Sequence, residues 1–171
     1  MQLEYNEKMD AFYKGQHIEP FQPHIIDSGV AEGVIPFGSP VQLTAISEHY
    51  LAEQVAPLTS GVFHGVAVLV DHTEQDAYAV ITPGQNAGDE DVITEAVAGF
   101  KDKAPVAIMK TGRVVVTLAS DAVYGDEVIP SGAGFIVDAH SGDFAADGNI
   151  KCIVHRKADT NGLGIIEMFR I

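Results

Sequence analysis

The sequence IDSGVAEGVIPFGSPV, residues 26–41, separates two unlike parts of the chain. Before it lies an irregular leader that carries several aromatic residues, and after it lies a series of short segments rich in valine. Its glycines and prolines are typical of turns, and it contains no catalytic motif. Pro36 and Pro40 predict that any strand here is an edge strand, where a neighbouring subunit could pair with it. This composition favours a protein that binds and supports others over one that catalyses a reaction.

Residues 1–30, the leader, are predicted to form an irregular N-terminal arm. A short helix over residues 3–13 is compatible with the pattern, and Pro20 and Pro23 predict an extended path after it. The aromatic residues of the leader are Tyr5, Phe12, Tyr13 and Phe21. One interpretation is a loose chain end, which is common. Disordered tails are usually poor in aromatic residues, so we favour an arm whose aromatics dock on a partner or on a neighbouring subunit.

Residues 31–171 are predicted to form one β-rich domain. Its candidate strands are residues 34–37, 41–46, 62–70, 76–81, 106–110, 113–119, 127–129, 134–137, 150–156 and 164–171. Turn signals such as Thr111-Gly112, Asp147-Gly148 and Asn161-Gly162 separate them. Short strands at this spacing predict an all-β fold, either a jelly roll or a small β-barrel or sandwich, with at most one or two short helices. Residues 89–100 are predicted to be helical because acidic residues precede an apolar run, although a strand or an irregular loop also suits this segment.

The composition excludes several classes of partner. The chain has 171 residues, with 24 acidic and 10 basic residues and a formal net charge of −14. No basic cluster is available to neutralise phosphates, so we expect no binding to nucleic acid or to an anionic membrane. Cys152 is the single cysteine, and we expect it to be a small buried apolar residue. No secretory signal and no apolar run of about 18 residues is present, which predicts a soluble protein made in a reducing compartment.

No group of residues in the sequence predicts catalysis or metal binding. The seven histidines have none of the close spacings that aim two imidazoles at one ion. Lys110-Thr111-Gly112 matches one element of the penicillin-recognising enzymes, but the accompanying serine motif is missing. We therefore predict no catalytic residue, no metal and no cofactor. The alternative is a β-barrel enzyme or small-ligand binder, which would need a pocket that collects Asp71, His72, Asp138 and His140.

Six segments of the chain resemble the structural cement proteins, or head decoration proteins, of tailed bacteriophages. The resemblance is carried by the sequences IDS at residues 26–28, where the leader ends, AEGVIPFG at 31–38, HGVAV at 64–68, VAIMKTGRVVV at 106–116, AVYGDEV at 122–128 and GLGIIEM at 162–168. It implies a non-enzymatic, β-rich viral structural protein, often a homotrimer, on the outer surface of an icosahedral head. There it would bridge neighbouring major capsid proteins and stabilise the shell, after synthesis in the host cytoplasm. A phage tail or fibre component is a weaker alternative.

The predicted partner interface combines the aromatic residues of the leader with the residues around the glycine- and proline-rich boundary. Its members are Tyr5, Phe12, Tyr13, Phe21, His24, Ile35, Pro36 and Phe37. The expected partners are the phage major capsid protein and further copies of this chain.

Overall fold

The structure, a computed structural model, describes residues 14–18, 24–46, 52–69, 77–82, 92–138 and 150–170. These residues form strands joined by turns and loops, which confirms the predicted all-β class. The strands are β1 His17–Ile18, β2 Ile25–Ala31, β3 Ile35–Pro36, β4 Pro40–Ile46, β5 Glu53–Pro57, β6 Phe63–Ala67, β7 Ala77–Thr82, β8 Val92–Phe100, β9 Pro105–Thr117, β10 Glu127–Ser131, β11 Gly134–Val137, β12 Ile150–Arg156 and β13 Leu163–Arg170. Within these ranges no helix has the length and hydropathy of a membrane-spanning segment.

Five strands close into a small barrel. Strand β2 lies between β5 and the first half of β9, β5 pairs with β4, and β4 pairs with β6. Strand β6 then returns to the first half of β9, so the circuit is complete. The β2–β5 pair is parallel and the other pairs are antiparallel. Because each strand finds a partner on both sides, closure satisfies backbone groups that an open sheet would leave at its edges.

Strand β9 also belongs to a second sheet. Its second half pairs with β13 on one side and with β1 on the other, and the sheet continues from β13 through β12 and β10 to β11. A separate small sheet has the order β3-β8-β7. The long strand β9 therefore joins the barrel to the second sheet.

A bulge in the middle of β9 changes the face to which its side chains point. In the ladder with β2, Ile25 is opposite Thr111 while Ile26 is opposite Met109, so β9 has one extra residue there. Gly112 follows with φ 128°, a conformation that favours glycine. The sequence predicted two strands separated by a turn at this position. That prediction is wrong, because the glycine serves a bulge within one continuous strand.

Two apolar cores result from this arrangement. The barrel core contains Ala31, Ile35, Val41, Val55, Ala67, Val106 and Ile108. The main core lies between the barrel and the second sheet, and its buried residues include Phe63, Met109, Val114, Phe135, Cys152, Ile166 and Met168. Strand β9 contributes to both cores because its two faces alternate, with Val106 and Ile108 in the barrel core and Met109 in the main core. After the bulge, the even-numbered residues Val114 and Val116 face the main core. The expected burial of Cys152 is confirmed, and burial raises the pKa of its thiol to about 12.

Within the segment predicted to be helical, residues 89–100, residues 92–100 form a strand instead, and residues 89–91 lie outside the described residues. Strand β8 covers Val92–Phe100 and pairs with β7 on one side and with β3 on the other. Its β-branched residues suit an extended chain better than a helix. Gly99 lies directly against the backbone of Ile35 and Pro36, a close approach that a side chain would prevent.

Three further strands were missed, and one was assigned the wrong position. Strand β5 was not predicted, and the segment predicted to be irregular contains β1 and most of β2. The predicted edge position is wrong for Pro40 and Val41, because β4 lies between β5 and β6. Pro36 does lie in an edge strand, since β3 borders the small sheet.

Candidate interaction surface

The predicted interface residues fall into three groups. Tyr5, Phe12, Tyr13 and Phe21 lie outside the described residues. His24 is exposed, and its ring lies 4.4 Å from the ring of His17.

The remaining predicted interface residues pack within the chain. Ile35 is 0% exposed in the barrel core, Phe37 is 7% exposed, and Pro36 is half-buried. The ring of Phe37 meets that of Phe100 edge to face, with centroids 5.0 Å apart. A partner in contact with Ile35 or Phe37 would therefore have to open the core.

The middle of the leader crosses the turn at Phe37-Gly38, and the two segments of the chain touch through Gly15 and Gly38. A Cβ on Gly15 would lie 2.7 Å from the Gly38 nitrogen, and one on Gly38 would lie 2.7 Å from the Gly15 nitrogen and 2.9 Å from the Val115 oxygen. Both glycines have positive φ, 80° and 69°. The Gly15 N–H donates to the Val115 carbonyl at 2.7 Å, and the Leu69 N–H donates to the Gly15 carbonyl at 2.9 Å. We call this contact the glycine crossing; it fixes the point from which residues 1–13 extend.

A polar cluster lies beside the barrel core. Lys110 Nζ is 2.7 Å from Asp27 Oδ2 and 3.4 Å from Glu53 Oε2, and His64 Nε2 donates to Glu53 Oε2 at 2.6 Å. The four residues come from β2, β5, β6 and β9. Asp27 is the register partner of Ile108, so both side chains lie on the core side of the ladder. The cluster links four of the five barrel strands, and the ammonium of Lys110 pairs with both of its carboxylates.

The cluster perturbs the acidity of Glu53. Burial would raise the pKa of this carboxyl, but the hydrogen bond from His64 and the charges of His64 and Lys110 outweigh it and hold the pKa below 4.5. A carboxyl with a lowered pKa in the folded state stabilises the fold above its unfolded pKa. This contribution is lost as the pH falls through the lowered value.

We expect Glu53→Gln to lower the free energy of unfolding by about 1–2 kcal/mol at pH 7, because a charged hydrogen-bond acceptor is lost. The difference from the wild type should shrink as the pH falls below the ordinary glutamate pKa of 4.5 and through the lowered pKa of the folded state, because the wild-type carboxyl then also becomes neutral. Urea unfolding across this pH range measures both effects.

Glu127→Gln is the matched control for this substitution, since Glu127 pairs with Lys151 at 2.8 Å on the surface. An exposed pair of this kind contributes about 0–1 kcal/mol. If the free energies of unfolding of Glu53→Gln and the wild type differed by the same amount at every pH, the charge of Glu53 would not stabilise the barrel through the cluster.

A row of polar side chains crosses the outer face of the second sheet. Arg113 Nε donates to Glu167 Oε2 at 3.0 Å, and His155 Nδ1 lies 3.8 Å from the same oxygen. The ring of Tyr124 lies 6.1 Å from that of His155. Arg113 is also the register partner of Ile18 in β1. The row therefore runs from the exposed Tyr124 to strand β1, which lies within the leader.

The metal-ligating side chains of the described residues do not cluster. No group of three or more His, Cys, Asp or Glu side chains within them could hold a metal ion. Of the four residues proposed for an enzyme pocket, Asp71, His72 and His140 lie outside the described ranges. The backbone N–H of Asp138 donates to the Glu127 carbonyl at 2.9 Å, at the end of β11.

Comparisons with known proteins identify one family and one similar fold. The family described as "Structural cement protein (E217 gp24/Pam3 gp6)" matches residues 1–168. No curated protein matches the chain. Among solved structures, a chain of "The capsid of Myoviridae Phage XM1" is similar, with a TM-score of 0.55 and 12% sequence identity over 98% of this chain and 96% of that one. At this identity the likeness shows a shared fold.

Proposed function

The chain belongs to the family of structural cement proteins, which gives it a structural role in a viral capsid, and from that premise we propose that it binds the outer surface of an assembled phage head. There it bridges neighbouring major capsid proteins and stabilises the shell without catalysis. The observation that carries this proposal is the family match over residues 1–168. The homotrimeric state and synthesis in the host cytoplasm are part of the same proposal, and they rest on the resemblance to the family.

The fold supports a bracing role. The barrel and the second sheet share strand β9, so force applied to one is passed to the other through a single continuous strand. The polar cluster links strands of the barrel by ion pairs, and the main core packs the barrel against the second sheet. Close-packed interiors transmit strain instead of absorbing it. A body of this kind suits a protein that resists deformation of a shell.

We propose the leader as the arm of this protein and residues 31–171 as its body, with strands β1 and β2 as the parts of the leader that pair with the body. The glycine crossing supports this division because it anchors Gly15 to the body through backbone hydrogen bonds. Aromatic side chains on an arm add contact area to a partner, and Tyr5, Phe12, Tyr13 and Phe21 are the residues that would supply it.

Cosedimentation with heads that lack this protein tests the proposal. We expect the chain to sediment with assembled heads and not with unassembled major capsid protein, because bridging needs neighbouring subunits. Analytical ultracentrifugation of the free chain should give three times the protomer mass of 18.2 kDa. Equal binding to assembled and unassembled protein would contradict bridging, and no binding to heads would contradict the proposed function.

A further inference from the structure

The segment at residues 123–126 forms a rigid turn on the surface. The Asp126 N–H donates to the Val123 carbonyl at 3.1 Å, and Gly125 in the third position has φ 90°, as in a type II turn. The Asp126 carboxylate accepts from the Val123 N–H at 2.9 Å. Two backbone hydrogen bonds to Val154, of 2.9 and 2.8 Å, fasten the turn to β12. The conformation is therefore set before any partner arrives.

This turn displays apolar side chains that the fold does not bury. Tyr124 is 76% exposed and Val123 is 54% exposed. A Cβ built on Gly125 would meet nothing within 4 Å, so the turn projects from the surface. One side of the Tyr124 ring faces His155, whose imidazole lies at 62° to it. Exposed tyrosines on rigid turns lose little conformational entropy when they bind, and tyrosine is enriched among the residues that dominate binding energy.

The charge around the turn indicates the chemistry of the partner. Residues 119–127 contain three acidic side chains, Asp121, Asp126 and Glu127, and no basic one. Lys151 Nζ lies 2.8 Å from Glu127 Oε2 and offsets part of the charge of that carboxylate. Asp121 is exposed beside the turn. An apolar centre with an acidic border is complementary to an apolar pocket bordered by lysine or arginine.

We propose that the turn at residues 123–126 is a docking element, which places Tyr124 and Val123 into an apolar pocket with a basic border on the assembled capsid. This inference rests on the proposed function and deepens it, because it assigns part of the capsid contact to a preformed turn of the body. It is independent of the arm, since the turn lies between β9 and β10.

Equilibrium binding to heads that lack this protein tests the proposal with three variants. Tyr124→Ala should weaken binding by about tenfold or more, as expected for the loss of a central aromatic anchor. Tyr124→Phe keeps the ring and should bind within about threefold of the wild type. Phe169→Ala is the matched control, because it removes another exposed aromatic side chain, 38% exposed, from the face of β13. This control should also bind within about threefold of the wild type.

Salt dependence and assembly state complete the test. Wild-type association should slow as salt rises, and Asp121→Lys should slow it at low salt, because both remove the attraction to a basic border. The proposal would be overturned if Tyr124→Ala bound heads with the affinity of the wild type. It would also be overturned if Tyr124→Ala changed the oligomeric state of the protein and left its binding to heads unchanged, because the turn would then be a contact between copies of this chain. If the wild type itself fails to bind heads, the proposed function fails, and this inference fails with it.

Discussion

A chain that lacks residues 1–25 should be less stable than the full chain by about 4 kcal/mol, whereas a chain that lacks residues 1–13 should keep nearly all of its stability. The longer deletion removes strand β1, its pairing with β9 and the hydrogen bonds of Gly15 and Gln16 to Val115. Each of these hydrogen bonds contributes about 1 kcal/mol net. The deletion also uncovers Phe37 and Val115, whose burial contributes about 1.5–3 kcal/mol each at most. Because whole domains are stable by about 5–15 kcal/mol, the deletion would remove between about a quarter and most of the stability.

The shorter deletion is the control, since it begins the chain at Lys14 and leaves every one of these contacts in place. Urea unfolding followed by circular dichroism measures both stabilities. The predicted division into an arm and a β-rich domain implies that residues 1–25 could be removed while the β domain stays folded. Equal stability of the two truncated chains would support that expectation and would contradict the structural importance of the glycine crossing.

Gly38→Ala should lower the free energy of unfolding by about 3 kcal/mol or more. The φ of Gly38, 69°, is one that a residue with a Cβ rarely adopts, at a cost of about 1–2 kcal/mol. The new methyl group would also lie 2.7 Å from the Gly15 nitrogen and 2.9 Å from the Val115 oxygen. Both are backbone atoms held by hydrogen bonds, so they cannot yield without loss of those bonds.

Gly33→Ala is the matched control for Gly38→Ala. Gly33 lies in the same boundary segment with φ 86°, but a Cβ there meets nothing within 4 Å. It should therefore show only the conformational cost, about 1–2 kcal/mol. The difference between the two variants, measured by thermal or urea unfolding, isolates the steric contribution of the crossing. Equal losses would mean that the leader does not pack against Gly38 as closely as the structure shows.

Local patterns were sufficient where a strand is apolar and bounded by strong turn residues. Strands β11 and β12 have the predicted bounds, and β4 differs from its prediction by one residue. These strands are recognisable because valine and isoleucine alternate between Gly or Pro signals.

The strands that could not be predicted from the sequence are determined by contacts between segments that are distant along the chain. Strand β5 contains Glu53, Gln54 and Pro57, which no propensity favours in a strand, and it forms because β2 and β4 pair with it on both sides. The bulge at Gly112 looked like a turn, because a glycine after a threonine gives the same local signal in both cases. Barrel closure through β6 and β9 is likewise a contact between distant segments, with no local signature.

The residues of the candidate surface also differ in whether local sequence could have predicted them. The partners Asp27, Glu53, His64 and Lys110 lie in four separate segments, so no spacing in the sequence could have brought them together. Ile35 and Phe37 were predicted at an interface because they flank a proline in a distinctive motif, yet the motif turns them into the core. Tyr124 could have been noticed, since a tyrosine before Gly-Asp in a turn is commonly exposed. Its exposure and its rigid support needed the three-dimensional structure.

A reconstruction of phage heads decorated with this protein tests the central claim most directly. The proposed function predicts density for the barrel and second sheet on the outer surface of the shell, in contact with at least two major capsid proteins, with the turn at residues 123–126 against one of them. Density for this protein in the tail or fibre, or contact with only one capsid protein at each site, would contradict it.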